Sequence, residues 1–516
     1  MFHQPVIPWS VIGVLAATTL AFGQDTPAKI EAGKQSSQGA EFLAAPTLLS
    51  RNSRPIDLAS ALRLAGVENP EILLARERVV EAVALRQLAA AQFLPTLNAG
   101  TNVDNHTGTL QQSTGAIINV NRGSLYLGLG AGAVGAGTVT IPGLVWEGNV
   151  STMIFQGLAA RQVVRQREFD SQAVRNQMLL KVAQAYLDLL GAEGRRAVAL
   201  KTRGEASEVA RTTANYAKAK QGRQSDAERA ATELEMRTND LVQAESDLAT
   251  ASARLCQLLG LDPSVRLEPA DGWVVPNPIV PEPIPLAELL AIALTQRPEL
   301  GERQAAIRAA LLELRNAKVL PFSPNVIVGY SAGDFGGGSN LVQAGIPQAG
   351  GTVLQQSRFG NYADRQDFDA VVYWSLRNLG VGNLGLVRLA QSNLRQNELR
   401  NLEVLDRIRA DVASAYARTH ARYAQIETNE AAVKSSMNAF QQDILRTRSL
   451  EGLPIEVLDS LRLLGRSRYA YLAAIIEYNR AHFELYVALG QPPADILARP
   501  VPSSLVPPPG SVAAPR

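Results

Sequence analysis

The sequence has little cysteine, few aromatic residues and almost no net charge. Its single cysteine, Cys256, excludes an intrachain disulfide, and its apolar helical surroundings predict a packed thiol. Aromatic residues make up 5% of the chain although 46% of it is hydrophobic, which favours Ala- and Leu-rich helices in thin layers over the deep core of a compact enzyme. The formal net charge of +2 gives no indication of a nucleic-acid-binding protein.

Clusters of catalytic or metal-binding residues are also lacking. The four histidines, His3, His106, His420 and His482, stand alone, with no metal-ligand spacing. The Gly-rich segment 125–132 (LYLGLGAG) superficially resembles a phosphate-binding loop, but it lacks a lysine and the strand–turn–helix context, so packing of an outer loop is the better interpretation. We therefore expect a protein that is not an enzyme and that needs no cofactor or metal.

Long apolar runs are confined to the N-terminus. No charge occurs from Met1 to Gln24, the apolar run 6–22 has the length of a signal-peptide core, and Ala-Phe-Gly at 21–23 is a small-x-small cleavage pattern. We predict a signal peptide over residues 1–23, although its basic region is missing and a single N-terminal membrane anchor is the alternative. No other run reaches 18 apolar residues, so any membrane part of the mature chain would consist of strands.

The chain is internally duplicated. The pentapeptide VAQAY at 182–186 recurs as VASAY at 412–416, and the same offset of 230 places Gly222 on Gly452 without a gap. Each copy closes on Leu-Gly, and each contains a short helical pattern that ends at an Asn-Pro-Glu or Arg-Pro-Glu. Self-similarity over so large a unit overrides a domain count based on length.

Two kinds of periodicity alternate within each copy. Period-two alternation predicts strands with one apolar and one polar face, although Pro and Gly interrupt the second strand at 142–143. The strands are expected near residues 96–104, 137–146, 325–332 and 367–376. Between the members of each pair, the Gly-, Asn- and Ser-rich segments 105–136 and 333–366 are interpreted as long loops, which are ordinary on the outer face of a membrane barrel.

Long helices follow each strand pair. The proline-free stretches from about 155 to 218 and from about 383 to 447 predict helices of about 95 Å, and heptad spacing after a short break predicts coiled-coil hairpins that end near 260 and 490. The chain is thus expected to contain a signal peptide (1–23), a flexible tail (24–54), a first repeat (55–260, β-hairpin about 96–146, long helices about 155–260), a Pro-rich linker (261–285), a second repeat (286–490, β-hairpin about 325–376, long helices about 383–490) and a Pro-rich tail (491–516).

Four strands cannot close a barrel by themselves. An open sheet edge in lipid leaves backbone groups unpaired at several kcal/mol each, and membrane barrels begin at about eight strands. Three copies would supply twelve. We therefore expect a mainly α-helical chain that assembles as a trimer into a 12-stranded transmembrane β-barrel, continued by an α-helical barrel.

The order of parts resembles the TolC family of outer-membrane efflux proteins over roughly residues 55–495. The shared motifs are the Leu-Pro before each first strand, the VAxAY of each long helix, the closing Leu-Gly and the segment IEVLDS at 455–460. The resemblance implies a homotrimer in the bacterial outer membrane whose helical part crosses the periplasm. It also implies that the channel passively conducts substrates delivered by a periplasmic adaptor protein and an inner-membrane pump, in efflux or type I secretion.

The resemblance further implies two acidic positions at the periplasmic entrance, which Glu456 and Asp459 match. Their spacing puts both on one helix face, and three copies would place six carboxylates in a narrow neck that favours cations. The alternative is that they are solvated acids of a first helical turn, which complement the helix dipole.

The hairpin tips are the expected docking surface for the adaptor. Gly222 and Gly452 would allow the tight turns, and Ser225 followed by Asp226 fits a helix N-cap. The tip residues so implied are Gly222, Ser225, Asp226, Gly452 and Leu453. A secreted periplasmic coiled-coil protein without a pore is the alternative function, but such a protein would have no need of two-faced strands.

Overall fold

The computed structural model describes residues 53–491 except 112, 136, 282–283, 340–361 and 450. The predicted signal peptide, all but the last two residues of the expected flexible tail and nearly all of the expected C-terminal tail lie outside this part, as does most of the expected loop 333–366. No helix within the described residues is long and apolar enough to span a membrane.

Eight helices of the described residues occur as two sets of four with nearly equal lengths. They are α1 (Leu58–Glu68), α2 (Pro70–Ala91), α3 (Val150–Lys218) and α4 (Gln224–Leu259), followed by α5 (Leu286–Gln296), α6 (Pro298–Val319), α7 (Val381–Arg448) and α8 (Pro454–Ala488). Both α2 and α6 begin with a proline at the first helical position, where a missing N–H costs nothing. The paired lengths show that the duplication extends to the tertiary structure.

The strands form one large sheet and one small parallel ladder. They are β1 (Ser53–Ile56), β2 (Thr96–Leu97), β3 (Ala99–Gln111), β4 (Ile117–Ala131), β5 (Ile141–Pro142), β6 (Leu144–Asn149), β7 (Arg266–Pro269), β8 (Asn325–Ser339) and β9 (Ala363–Tyr373). The small ladder pairs β1 with β7, and all other strands belong to the large antiparallel sheet. The chain is therefore mainly helical with a few strands, as expected.

The large sheet is four ladder positions wide, but its second position differs from the expectation. The prediction of one strand near 137–146 and of a loop over 105–136 is wrong. The chain instead continues as β3, turns, and descends as β4; it then leaves the sheet and re-enters it as β6. Strand β8 pairs with β4 along its upper part and with β6 along its lower part, so β4 and β6 together make the second position.

Glycine explains why β4 was mistaken for a loop. Gly128 lies opposite Gly333 of β8, and a Cβ on Gly128 would lie 2.5 Å from the Gly333 Cα atom. The two backbones therefore approach more closely than side chains allow, and glycine within a strand marks such an approach. A composition rich in glycine imitates a loop although its cause is close pairing.

The four long helices pack side by side in the order α4, α3, α8, α7. The largest apolar core contains the repeated motif, with Val182 and Tyr186 of α3 and Val412 of α7 fully buried. The Tyr186 hydroxyl donates to the Asp271 carboxylate at 2.5 Å, and burial, followed by this hydrogen bond, raises the pKa of Tyr186. The motif therefore belongs to the packing of the helices and of the linker across them.

Three arginines of α8 bind carboxylates of the first repeat. Arg462 binds Glu233 at 2.6 Å, Arg468 binds Glu205 at 2.7 Å, and Arg480 binds Asp188. These residues join the two repeats along more than half the length of α8. The ion pairs fix which helices are neighbours, while the apolar core contributes most of the burial.

Candidate functional site at the hairpin tips

The two tips have the same backbone geometry. In the first, the N–H groups of Gln221 and Gly222 both donate to the carbonyl of Tyr216, at 2.9 and 3.1 Å. In the second, the N–H groups of Glu451 and Gly452 donate to the carbonyl of Arg446 at the same two distances. The offset of 230 therefore holds at the tips, and each turn closes on a carbonyl of the preceding helix.

Close approach, and not a left-handed backbone, accounts for the tip glycines. A Cβ on Gly452 would lie 3.0 Å from the Arg446 Cβ atom, and one on Gly222 would lie 3.2 Å from the Tyr216 Cβ atom. The left-handed residue of the first tip is Lys220, with φ of 60°. The glycines allow the tight turns as expected, and a larger side chain would push each turn away from its helix.

Ser225 is not an N-cap. Helix α4 begins at Gln224, its N-cap is Arg223 without a side-chain hydrogen bond, and Ser225 lies within the first turn. Asp226 is the acidic residue of that turn and lies 3.5 Å from Arg229. The prediction is wrong because the two N–H groups bonded to Tyr216 end the turn earlier than the serine signal suggests.

Glu456 is already engaged within its own chain. Its Oε2 atom accepts from the N–H of Leu453 at 3.3 Å, as the third residue of a helix does in a capping box, and it lies 3.5 Å from the Arg446 guanidinium. Glu456 therefore lies in the first turn of α8, as the alternative interpretation has it, and in addition it caps the helix. Asp459, one turn later, is exposed, and its charge acts on Arg462.

The two tips are fastened to each other. The Tyr216 hydroxyl of the first tip donates to the carbonyl of Arg448 at 3.3 Å, and the Arg448 guanidinium lies 3.7 Å from Glu208. Beneath them a separate apolar cluster joins all four long helices, with Val209, Ala230, Phe440 and Leu461 at its centre. The tips of one chain therefore present a single surface.

Sequence reasoning missed the charge cluster inside the helical layer. Arg237 is the one break in the heptad seam of α4, and it lies there because it donates to the buried Glu233 at 2.5 Å. Glu233 also accepts from Arg462 at 2.6 Å. A charged residue at a seam position was the available signal, because a seam tolerates charge only with a partner.

Two of the histidines that stand alone in the sequence, His420 and His482, lie in one cluster in the structure. His420 and His482 line a small cavity beneath the linker, and each makes an edge-on ring contact, with Tyr416 and Tyr478 respectively. Burial, assisted by the charge of His420, lowers the pKa of His482 to about 4. Within the described residues, no three His, Cys, Asp or Glu side chains are placed to hold a metal ion.

The sheet has an apolar face and a polar face. Leu97, Val103, Leu127 and Phe368 lie on the apolar face by strand register, and each is at least 60% exposed. The opposite face carries Asn102, Glu147, Asn149, Arg365, Asp367 and Asp369. An apolar band this large on a soluble surface would be unusual, and it normally marks contact with protein or lipid.

Solved structures share this arrangement, although no family model and no curated protein matches the chain. The outer-membrane channel OprN superposes with a TM-score of 0.67 at 20% identity, over 84% of this chain and 89% of its own. The CmeC outer-membrane channel of Campylobacter jejuni gives 0.66 at 14% identity, over 84% and 85%. The MtrE outer-membrane channel of Neisseria gonorrhoeae gives 0.60 at 18% identity, over 84% and 88%. The chain therefore has the fold of these outer-membrane channels, and the long helices with a few strands expected from its resemblance to the TolC family are confirmed.

Proposed function

We propose that three copies of this chain form a channel in the bacterial outer membrane, the exit duct of a tripartite efflux or type I secretion system. The observation that carries the proposal is the two-faced sheet with two open edges. Strands β2 and β3 form one edge and β9 forms the other. In lipid, unpaired edges cost several kcal/mol per backbone group, so the sheet must close with other copies.

The width of the sheet supports three copies. Each chain contributes four ladder positions, and three chains contribute twelve, which lies within the range of membrane barrels. The exposed apolar face would then contact lipid, and the polar face would line the lumen. The alternative, a secreted coiled-coil protein without a pore, does not explain why the sheet has one apolar and one polar face.

The helices indicate where a neighbouring copy packs. Helix α6 lies against both α3 and α7, but its counterpart in the first repeat, α2, lies against α3 and exposes its other side. That side of α2 carries Leu73, Leu74, Val80, Leu85 and Leu88, each at least 42% exposed. An uncovered apolar face opposite a buried one is expected of a helix that lies between two partners.

Helix α7 offers the matching surface. Away from its contact with α6, its first half exposes Val381, Leu384, Leu399 and Leu402. If α2 of one copy occupies the groove beside α7 of the next, every α2 gains the contacts that α6 has within the chain. The duplicated chain would then repeat one packing unit six times around the axis.

We also propose that an adaptor protein, and through it a pump, binds the surface that the hairpin tips form. The fastened tips of each chain form one surface, and three such surfaces would ring the periplasmic entrance for an adaptor to bind. Replacing Gly452 with Trp would displace the second tip, because a Cβ there already lies 3.0 Å from Arg446. We expect lost export with normal trimer assembly, and normal export would contradict adaptor docking at this tip.

The mass of the detergent-solubilised protein, corrected for bound detergent, tests the proposal first. Three chains per particle, together with ion conductance in planar bilayers, are the expected results. A monomer or dimer that is soluble without detergent would exclude the barrel. A trimer that does not conduct ions would support the proposed assembly but exclude an open channel.

A further inference from the structure

Between β4 and β6 the chain leaves the large sheet and folds over one of its faces. We call this segment, residues 132–135 and 137–140, the shelf. Asn102, Tyr126 and Phe335 are direct partners across three neighbouring strands, so their side chains lie on the same face. This is the polar face, and Ala133 and Val139 of the shelf pack against Tyr126 and Phe335 on it.

One edge of the sheet fixes the start of the shelf through Asn102. The Asn102 Oδ1 atom accepts from the N–H groups of Gly132 and Ala133 at 2.9 and 3.0 Å, and its Nδ2 atom donates to the Ala133 carbonyl at 3.1 Å. Thr140 closes the segment by donating its hydroxyl to the Gly132 carbonyl at 2.9 Å. The Asn102 amide thus makes the hydrogen bonds to Gly132 and Ala133 that a neighbouring strand would otherwise make.

The opposite edge of the sheet holds the far end of the shelf. Arg365 of β9 donates to the carbonyl of Gly135 at 3.1 Å and to the carbonyl of Gly137. Its guanidinium is oriented by Asp367 at 2.8 Å and lies over the Phe335 ring, 5.0 Å from the centroid. The shelf is therefore held by side chains from both edge strands of the sheet.

Glycines beneath the shelf make room for it. A Cβ on Gly130, whose φ is 99°, would lie 3.1 Å from the Val139 Cγ1 atom of the shelf. A Cβ on Gly132, whose φ is 83°, would lie 2.9 Å from the Thr140 Cβ atom. Gly130 and Gly132 of the Gly-rich segment 125–132 are thus explained by the seating of the shelf, whereas Gly128 is explained by its close pairing with β8.

We propose that the shelf sets the size limit for solutes that leave through the barrel; this inference rests on the proposed trimeric channel. Twelve strands about 4.8 Å apart, tilted by about 40°, close at a radius of roughly 12 Å. The Asn102 side chain bonds directly to the shelf backbone, which therefore lies roughly 6 Å above the sheet. Three shelves on the inward face therefore approach the axis and form the narrowest part of the barrel.

Cysteine labelling tests the position of the shelf in the conducting path. The native Cys256 is fully buried and its thiol donates to the Val265 carbonyl at 3.3 Å, so Thr138→Cys supplies the accessible thiol. A cationic thiol reagent should lower single-channel conductance in three equal steps, one for each copy. The control is Val103→Cys on the apolar face, where the reagent should leave conductance unchanged.

Unchanged conductance of a Thr138→Cys channel whose labelling is complete by mass would overturn the inference. A wild-type protein that conducts no ions would instead overturn the proposed channel itself, so the two failures are distinguishable.

A second variant tests the size limit directly. Arg365→Ala removes the contacts at the far end of the shelf and substitutes no other residue of the strands. Larger neutral polyethylene glycols should then enter the pore and reduce its conductance. Asp369→Ala, which removes a charge from the same face and strand, should keep the wild-type polymer cut-off. Faster proteolysis of Arg365→Ala would show that the shelf is released. If the polymer cut-off of that variant is nevertheless unchanged, the inference is contradicted.

Discussion

Single charged residues lie inside the packed helices where the two repeats meet. The Glu233 side chain is fully buried, and burial alone would raise its pKa, but the hydrogen bonds from Arg462 and Arg237 together outweigh burial and lower the pKa below 4.5. The heptad seam could indicate that Arg237 is exceptional. It could not indicate the partner Arg462, because that residue lies 229 positions away from Glu233 in the sequence.

Glu233→Gln should destabilise the protein by about 2 kcal/mol, because it neutralises the buried carboxylate that both arginines bind, while the 55% exposure of Arg462 lets solvent offset part of the loss. The measurement is the midpoint of chemical denaturation in detergent, followed by circular dichroism. Glu235→Gln, two residues away and exposed, is the matched control and should change stability by less than about 0.5 kcal/mol. Equal effects of the two substitutions would mean that the buried pair contributes nothing.

The same residue predicts part of the acid sensitivity. Because the folded-state pKa of Glu233 lies below 4.5, its charge stabilises the fold above that pH, and this contribution is lost as pH falls through the folded pKa. Glu233→Gln should therefore show a shallower loss of stability below pH 4.5 than the wild type. An identical slope in the two proteins would contradict this assignment.

His482 predicts sensitivity in a higher pH range. It is buried among Tyr478, Tyr416 and His420, its Nδ1 atom accepts weakly from the Val280 N–H, and its pKa is about 4 against 6.5 when unfolded. The unfolded chain therefore binds the proton first, and stability is lost as pH falls from 6.5 towards 4, by roughly 3 kcal/mol.

Replacing His482 with Phe should remove this loss while keeping the ring contact with Tyr478. The measurement is the denaturation midpoint in detergent at several pH values between 4 and 7. His420→Phe is the control, and it should keep most of the slope because burial, the larger cause of the lowered pKa, remains. A slope that survives in His482→Phe would assign the effect to other groups.

At the scale of elements, the sequence predicts the helices better than the strands. Proline-free stretches and heptads depend on local spacing, and they place the long helices to within a few residues of their observed ends. Strand β4 could not be recognised, because its Gly128 is required by close pairing with β8, which is distant in sequence. The local sequence placed Glu456 in a first helical turn, but it did not indicate the hydrogen bond from the Leu453 N–H that makes this residue a cap.

The tip geometry predicts unequal roles for the two acids. Glu456 shares its charge with Arg446 and with the Leu453 N–H, whereas Asp459 is exposed. If the tips ring a channel entrance, Asp459→Ala should reduce cation selectivity several-fold more than Glu456→Ala, as measured by reversal potentials in a salt gradient. Glu456→Ala should instead lower stability by about 1 kcal/mol through the lost cap. Equal selectivity changes would contradict this division.

At the scale of the whole molecule, the difference between α2 and α6 is the most informative consequence of the duplication. The two helices have equal lengths and both begin with proline, so their sequences predict equivalent surroundings. Among the described residues, α6 packs along both α3 and α7, whereas α2 packs along α3 and otherwise meets only the preceding helix α1. Periodicity alone could not distinguish them, because in the proposed trimer Leu74 and Leu85 would complete their contacts only against another copy.

Leu74→Glu combined with Leu85→Glu should therefore prevent trimer assembly without unfolding the chain. Two charges per copy would be buried against α7 of the neighbour, and an unpaired buried charge costs several kcal/mol, whereas both positions are more than half exposed in the single chain. The detergent-corrected mass should fall from three chains to one, with helical circular dichroism unchanged. Leu200→Glu is the control, because Leu200 is equally exposed but lies on α3, which has α4 and α8 of its own chain on either side. Trimers of the double variant that are as stable as those of Leu200→Glu would exclude α2 from the interface.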